Sequence, residues 1–332
     1  MSAGITPRDL PWLDLSQGET SMFRTVLLAA TCLSLGACAD AARQPAPVDA
    51  SLDSRSGLPE PALALAPRGN VAGFLSCLRG QSATIVSAHR GGPSAGYPEN
   101  AIETMAHRLS SAPMMLEIDV RQTSDGTYVL FHDDELDADT DGSGPVSSHT
   151  MAELSTYRYD EGGFAISTLE EVLEWARGRA ILQLDIKPGV AFSPLLDWLA
   201  ARNAEDRALI ITYNVRDAAT VARESDFLIS ASVGKESDLA DLAAAAVPAD
   251  RITAWTGLGA PRIDLWRFLG EQGVSANYGA YTTLDEQAAS ADAYAALARS
   301  GLHILSSDRP TFAYEALQSD QNFTVAARAC MG

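Results

Sequence analysis

The sequence predicts an α/β protein built as a closed barrel of eight parallel strands, and three observations lead to this fold class. Short apolar runs alternate with helix-like stretches along the chain, which is typical of a parallel sheet. Eight such runs occur, and eight strands favour a closed barrel over an open, doubly wound sheet. The stretch from Val71 to Gly332 also has the length that eight strand–helix units require.

The predicted strands follow one another at residues 84–88, 115–120, 181–186, 209–213, 227–233, 252–255, 274–278 and 303–306. Helices are predicted between most of them, at residues 168–177, 194–202, 215–224, 263–270 and 288–299. No G-x-G-x-x-G loop follows the first strand, which argues against a dinucleotide-binding fold.

A β-hairpin insertion after the second strand interrupts this alternation. Asp125-Gly126 is a two-residue turn signal between two β-rich runs. A two-residue turn at this point would place Asp119 opposite His132, and Glu117 would share their face because side chains alternate along a strand. The hairpin therefore predicts a polar cluster of Glu117, Asp119 and His132.

The composition excludes two classes of protein. Hydrophobic residues make up 46% of the chain and charged residues 20%, which rules out a disordered or low-complexity chain. The chain has 24 Lys and Arg against 43 Asp and Glu, a formal net charge of −19. An acidic protein of this kind repels a phosphate backbone, so we expect no nucleic-acid partner.

Residues 1–37 are predicted to be a signal peptide, with translation starting at Met22. The apolar segment 25–37 has the length of a signal-peptide core and is too short to span a bilayer. Its end, Leu35-Gly36-Ala37-Cys38, resembles the bacterial lipobox, in which the cysteine is lipidated. An ordinary secretory peptide cut near the same place is the alternative.

Three segments therefore make up the expected chain. A lipidated Cys38 and a proline-rich tether would occupy residues 38–70, and the folded domain would be residues 71–332. This organisation predicts an exported bacterial lipoprotein, anchored to a membrane and facing the periplasm.

A disulfide between Cys77 and Cys330 is a further prediction. These are the thiols left once the signal peptide is removed and Cys38 is lipidated, and export would place them in an oxidising compartment. They lie at opposite ends of the domain, and a closed barrel brings its first and last strands together. The alternative is two unpaired cysteines too far apart to join.

A series of short motifs follows in order along residues 84–312. They are His89-Arg90-Gly91, Pro98-Glu99-Asn100, Glu117-x-Asp119, Asp125-Gly126, His132-Asp133, Ser167-Thr168-Leu169-Glu170-Glu171, Leu184-Asp185-Ile186-Lys187 and Ser307-Asp308-Arg309-Pro310. Their order and spacing resemble the glycerophosphodiester phosphodiesterase family. The resemblance implies a TIM barrel, a small-molecule glycerophosphodiester substrate, and its hydrolysis to sn-glycerol 3-phosphate and an alcohol.

The resemblance also implies a role for each motif residue. Glu117, Asp119 and Asp185 would bind a divalent metal, Ca²⁺ or Mg²⁺, since carboxylate oxygens are hard ligands. His89 and His132 would form the acid–base pair that a poor alkoxide leaving group requires. The remaining four residues would serve the phosphate and the metal: Arg90 and Lys187 would bind the phosphate, and Glu99 and Asn100 would ligate or orient near the metal.

Two features leave alternatives open. Asp185 stands where the family usually has Glu, and Ala101 stands where it commonly has Thr. A phosphodiesterase of the same fold that acts on a lysophospholipid or a phosphoinositide is one alternative, and a non-catalytic binding lipoprotein is another. Attack by water and attack by a neighbouring hydroxyl of the substrate, through a cyclic phosphate, are both compatible with the motifs. Five strand-end residues would either shape a leaving-group pocket or pack: Tyr213, Asn214, Trp255, Tyr278 and Asp308.

Overall fold

A computed structural model of the protein describes residues 57–332. The predicted signal peptide, Cys38 and most of the predicted tether lie outside the described residues. Within residues 57–332, no helix combines the length and the apolar character that a membrane crossing needs.

Eight parallel strands close the predicted barrel. In the described part of the chain the strands are β1 (Ile85–Ala88), β2 (Met115–Gln122), β3 (Tyr128–Leu130), β4 (Leu182–Ile186), β5 (Ala208–Thr212), β6 (Leu228–Ser232), β7 (Ile252–Trp255), β8 (Ser275–Gly279) and β9 (Ile304–Ser307). β1 pairs with both β2 and β9, which closes the barrel, and β3 is an antiparallel appendage on β2. The fold class predicted from the sequence is confirmed.

Helices follow most of the barrel strands. They are α1 (Val71–Gly80), α2 (Ile102–Ser111), α3 (Met151–Leu154), α4 (Leu169–Ala176), α5 (Phe192–Ala200), α6 (Val215–Glu224), α7 (Glu236–Ala244), α8 (Ile263–Glu271), α9 (Ala291–Arg299), α10 (Pro310–Leu317) and α11 (Phe323–Met331).

The helix α4 shows how the sequence sets these elements. Thr168 and Glu171 form a capping box, in which each side chain accepts a hydrogen bond from the other residue's backbone N–H. Leu169, Val172, Leu173 and Ala176 recur at helical spacing and are buried on one face.

The register of the hairpin differs from the prediction by one residue. Val120 pairs with Leu130, and Phe131 donates a backbone hydrogen bond to Asp119 (3.1 Å), so Asp119 does not face His132. The turn contains three residues rather than two, and its last residue, Gly126, has a φ of 86°.

The side chain of Thr123 explains the longer turn. Its Oγ1 accepts a hydrogen bond from the Thr127 N–H (2.9 Å) and donates one to Asp125 Oδ1 (2.5 Å). The pairing of Thr123 with Thr127 encloses three residues. His132 reaches the site for another reason: β3 ends at Leu130, and the chain leaves the ladder before His132.

The barrel interior is apolar at one end and polar in the middle. Inward side chains of six strand segments form an apolar cluster with α1 and α11: Ile85, Met115, Ile181, Leu209, Leu228 and Ile304. Further along the barrel, Gln183 donates a hydrogen bond to Ser87 Oγ, and Ser306 donates one to Asn277 Oδ1 (3.0 Å). Polarity therefore increases toward the carboxyl ends of the strands, where the site lies.

The packed part of the chain begins before the predicted boundary at Val71. Leu65 is 1% exposed, and its N–H donates to the carbonyl of Arg179 (2.9 Å). Leu58 and Leu63 also pack against the barrel. In residues 58–65, leucines among the prolines bury apolar surface without forming a regular element.

Cys77 and Cys330 form a disulfide that joins α1 to α11, with a Cα–Cα distance of 5.5 Å. The two helices cover the apolar end of the barrel. The bond therefore links the beginning of the folded domain to its end, across 253 residues of sequence.

We expect the double variant Cys77→Ser/Cys330→Ser to lose about 2–4 kcal/mol of unfolding free energy, since the cross-link restricts the unfolded chain. Urea unfolding monitored by circular dichroism measures this loss. A reductant should lower the stability of the wild-type protein to that of the variant and should leave the variant unchanged. Equal stability of the two proteins without reductant would contradict a stabilising bond.

Candidate active site

A cavity of about 280 Å³ opens at the carboxyl end of the barrel. Six of the residues that the motifs singled out line it: His89, Glu117, Asp119, His132, Asp185 and Lys187. Because parallel strands end at the same edge, residues far apart in sequence meet here.

Three buried carboxylates converge in this cavity. Asp119 on β2 lies beside Asp185 on β4 in the parallel register, and Glu117 shares their face. One oxygen of each carboxylate lies within 4.8 Å of the others. Their exposed fractions are 7%, 1% and 5% for Glu117, Asp119 and Asp185, so water compensates little of their repulsion.

The surroundings shift the pKa values of two of these carboxyls in opposite directions. Burial, with the charges of Asp119 and Asp185, holds the pKa of Glu117 well above its usual value. Burial opposes ionisation of Asp119 as well, but Lys187 and Asn100 outweigh it and lower the pKa of that carboxyl. Lys187 Nζ lies 2.6 Å from Asp119 Oδ1 and 2.7 Å from Asp185 Oδ2. Burial would lower the pKa of Lys187, but these two carboxylates raise it.

The carboxylate cluster fits a divalent cation. Three convergent carboxylates offer the hard oxygen ligands that Ca²⁺ and Mg²⁺ prefer. Asp185 Oδ1 is buried and makes no hydrogen bond within the described residues, which leaves this atom without compensation. Glu117, Asp119 and Asp185 are the residues that would hold the ion.

Asn100 orients one member of the cluster. Its Nδ2 donates to Asp119 Oδ2 (2.8 Å), and its Oδ1 accepts from the Asp119 N–H (2.9 Å). Asn100 is fully buried, with a φ of 58° in the left-handed region that asparagine tolerates. Of the two roles that the sequence left open, these contacts support orientation for Asn100.

Arg90 connects the carboxylates to a histidine. Its backbone N–H donates to Glu117 Oε2 (2.8 Å), and its Nη1 forms an ion pair with Glu99 (2.7 Å). Its Nη2 donates to His132 Nε2 at 2.9 Å. Glu99 therefore contacts the predicted phosphate-binding arginine rather than the three carboxylates.

Hydrogen bonds fix the proton position on both histidines. A guanidinium only donates, so His132 Nε2 accepts from Arg90, and Nδ1 carries the proton that is donated to Asp133 Oδ1 (2.6 Å). His89 Nδ1 lies 2.7 Å from Asp308 Oδ1, so the same tautomer leaves its Nε2 available. Each imidazole is thus held by an aspartate through Nδ1, the arrangement of an oriented acid or base.

Two neighbours of His89 were not expected to contact it. Asp308 was one of the strand-end residues that would shape a leaving-group pocket or pack, and its carboxylate instead contacts His89. The ring of Tyr281 stacks on His89, with centroids 4.2 Å apart and planes 16° apart. Tyr281 follows β8 in an irregular turn, and no periodicity in the sequence indicates it.

Apolar side chains complete the mouth of the cavity. Tyr213, Trp255, Leu258 and Tyr281 line it, and Tyr213 and Leu258 are 61% and 44% exposed. Trp255, Leu258 and Tyr281 converge beside Gly279, where a Cβ would lie 2.5 Å from Leu258 and 2.6 Å from Trp255.

The other strand-end residues and histidines lie elsewhere. Tyr278 is buried, and its hydroxyl donates to the Gly259 carbonyl (2.6 Å), while Asn214 caps α6. Burial and nearby Arg79 lower the pKa of His303 to about 4. The remaining two histidines, His107 and His149, do not line the cavity.

The family model of the glycerophosphoryl diester phosphodiesterase family matches residues 89–254, which is half of the chain. The chain belongs to this family. A glycerophosphodiester phosphodiesterase from Caldanaerobacter subterraneus subsp. tengcongensis is 32% identical over 145 residues, covering 40% of this chain and 58% of that relative. The match therefore spans less than two thirds of the relative's length.

Solved structures share the barrel. A glycerophosphoryl diester phosphodiesterase from Parabacteroides distasonis superposes with a TM-score of 0.67 at 33% identity, covering 71% of this chain and 86% of that one. An Oleispira antarctica phosphodiesterase, solved with the product sn-glycerol-3-phosphate, gives a TM-score of 0.55 at 20% identity, covering 72% of this chain and 99% of that one. The second likeness concerns the fold alone.

We expect the carboxylate cluster to bind one Mg²⁺ or Ca²⁺, which isothermal titration calorimetry measures. Asp185→Ala should weaken binding by about tenfold or more, a loss at least as large as that of a residue that only supports a ligand. Asp185→Glu keeps a carboxylate and should weaken it less.

Asp197→Ala is the matched control, since it removes an exposed carboxylate from α5, which does not line the cavity. Its affinity should equal that of the wild type. An unchanged affinity in Asp185→Ala, or a wild-type protein that binds neither ion, would contradict the predicted ligand set.

Proposed function

We propose that this member of the family hydrolyses glycerophosphodiesters to sn-glycerol 3-phosphate and an alcohol, with a divalent cation as cofactor. One observation carries the proposal: a single cavity holds three convergent carboxylates and two histidines with Nδ1 held by aspartates. This product is also the molecule bound in the Oleispira antarctica structure.

Cationic groups of the site would bind the anionic phosphate of the substrate. The phosphodiester is an anion, and Arg90 and Lys187 are the side-chain cations beside the carboxylate cluster that would contact its oxygens. A divalent cation, when bound, supplies further positive charge to the phosphate. Glu99 and Asn100 would hold Arg90 and Asp119 in position.

The two histidines would move the protons. One neutral imidazole takes a proton at Nε2 from the nucleophile, and the other, protonated at both ring nitrogens, gives its Nε2 proton to the departing alkoxide. His132 Nε2 accepts from Arg90, whereas His89 Nε2 makes no hydrogen bond within the described residues, so its lone pair is free, as a base requires. The same imidazole would accept the proton of either nucleophile, water or a neighbouring hydroxyl of the substrate.

The apolar mouth favours one alternative substrate for the same chemistry. Tyr213, Val215 and Leu258 are exposed, and all three follow the carboxyl ends of barrel strands. A lysophospholipid would place its acyl chain against such side chains. Release of lysophosphatidic acid from this lipid, faster than release of glycerol 3-phosphate from deacylated diesters, would favour this alternative.

A coupled assay for glycerol 3-phosphate tests the main proposal. The purified protein would receive glycerophosphodiesters with several head groups, with and without a chelator. We expect turnover that chelation abolishes and added Mg²⁺ or Ca²⁺ restores. Absence of turnover with every head group and either ion would favour a non-catalytic binding protein.

His89→Ala and His132→Ala should each lower kcat by about 10² or more, the usual scale for a lost general acid or base. His107→Ala is the control, because His107 stacks on Tyr97 outside the cavity. Steady-state kinetics and melting temperatures would be measured for all three variants. Near-normal turnover by either site variant would remove that histidine from the mechanism.

We further propose that the protein is an exported lipoprotein, held at a membrane through Cys38 and facing the periplasm. Support comes from the sequence before the folded domain, where the lipobox-like Leu35-Gly36-Ala37-Cys38 ends an apolar segment. Residues 39–57 would then form the tether, and the domain would begin near Leu58.

The variant Cys38→Ser should lack the lipid and leave the membrane fraction, because the cysteine sulfur is the attachment point. Cell fractionation and mass spectrometry of the mature N-terminus measure both effects. Cys77→Ser/Cys330→Ser should remain in the membrane fraction. Wild-type protein in the soluble fraction, with an unmodified N-terminus, would exclude the anchor.

A further inference from the structure

The turn after β8 contacts His89 by two routes. This π-helical turn, Tyr281–Asp285, lies between β8 and α9, and π-helical insertions are frequent at functional sites. At its beginning, Tyr281 stacks on the His89 ring. At its end, Asp285 accepts a hydrogen bond from the backbone N–H of Asp308 (2.8 Å), the residue that holds His89 Nδ1.

Asp285 is a buried acceptor for three donors. Besides the Asp308 N–H, its Oδ1 accepts from the Tyr294 hydroxyl (2.6 Å) and from Ser307 Oγ (2.9 Å). Ser307 Oγ itself accepts from the Arg309 N–H (2.9 Å), which directs the Ser307 proton toward Asp285. A carboxylate only accepts, so it satisfies all three donors at once.

We propose that Asp285 is a positioning residue for His89. It fixes the backbone at Asp308, and Asp308 in turn fixes the tautomer and ring orientation that leave His89 Nε2 available. Asp285 does not line the cavity and is 8% exposed, so it acts through Asp308 rather than on substrate. The kinetic consequence rests on the proposed phosphodiesterase function, whereas the tautomer does not.

The substitution Asp285→Asn tests this connection with little change in size. An amide replaces one acceptor oxygen by a donor, so NH₂ would face either the Asp308 N–H or the two hydroxyls. Tyr294→Phe is the matched control, because it removes one donor on α9 and keeps the carboxylate and its contacts with Ser307 and Asp308.

In steady-state kinetics, Asp285→Asn should lower kcat about tenfold to a hundredfold, less than the full loss of an acid or base. KM should change about twofold at most, because Arg90 and Lys187 keep their contacts, and Tyr294→Phe should retain kcat within about threefold. Asp285→Asn/Asp308→Asn should be no slower than Asp308→Asn alone, since both changes interrupt one path. The proposal would be overturned if the kcat losses of Asp285→Asn and Asp308→Asn added in the double variant. It would also be overturned if Tyr294→Phe lowered kcat more than Asp285→Asn does.

A second measurement does not require activity. In protein labelled with ¹⁵N-histidine, the imidazole resonances report which ring nitrogen carries the proton, and His89→Ala assigns those of His89. Wild-type His89 should be protonated at Nδ1, and Asp285→Asn should shift these resonances toward those of Asp308→Asn while His132 stays unchanged.

The two measurements separate the possible failures. A wild-type protein without turnover would reject the proposed function, and the spectra alone would then decide the role of Asp285. Normal kcat together with unchanged His89 resonances in Asp285→Asn would reject that role. If Asp285→Asn does not fold, a wild-type His89 protonated at Nε2 instead of Nδ1 would still overturn it.

Discussion

The repulsion between three buried carboxylates is the constraint on which the site depends. Glu117, Asp119 and Asp185 lie together where water screens little of their charge. Lys187 and the side chain of Asn100 compensate part of it, and the Arg90 N–H serves Glu117. One carboxylate oxygen remains buried without a hydrogen bond. Such an arrangement costs stability, which is understandable if the cluster serves a cation.

The destabilising carboxylate cluster and the elements that stabilise the fold lie at opposite ends of the barrel. Apolar side chains fill the end covered by α1 and α11, and the disulfide joins these two helices. The charged residues of the site lie at the opposite end, where strands end and loops begin. Folding free energy can thus come from one end of the barrel while the other keeps a strained electrostatic arrangement.

The two histidines show how hydrogen bonds to aspartates determine which ring nitrogen carries the proton. Asp133 follows His132 directly in sequence, whereas Asp308 lies 219 residues from His89 in the sequence and follows the neighbouring strand β9. The first pairing is local, and the second depends on barrel closure between β1 and β9. Disturbing the seam would therefore affect His89 more than His132.

The sequence by itself determined the strand order and the closed barrel, and its motifs contain six of the residues that line the cavity. Alternating apolar runs and short motifs carry this information because each concerns neighbouring residues. The stacking of Tyr281 on His89, and the hydrogen bonds from Asp285 through Asp308 to His89, came only from the tertiary structure. These residues reach His89 because β1 pairs with β9 and because the chain makes an irregular turn after β8. Neither feature produces a pattern among neighbouring residues of the sequence. The hairpin register was decided by the side chain of Thr123, whose hydrogen bonds outweighed the turn preference of Asp125-Gly126.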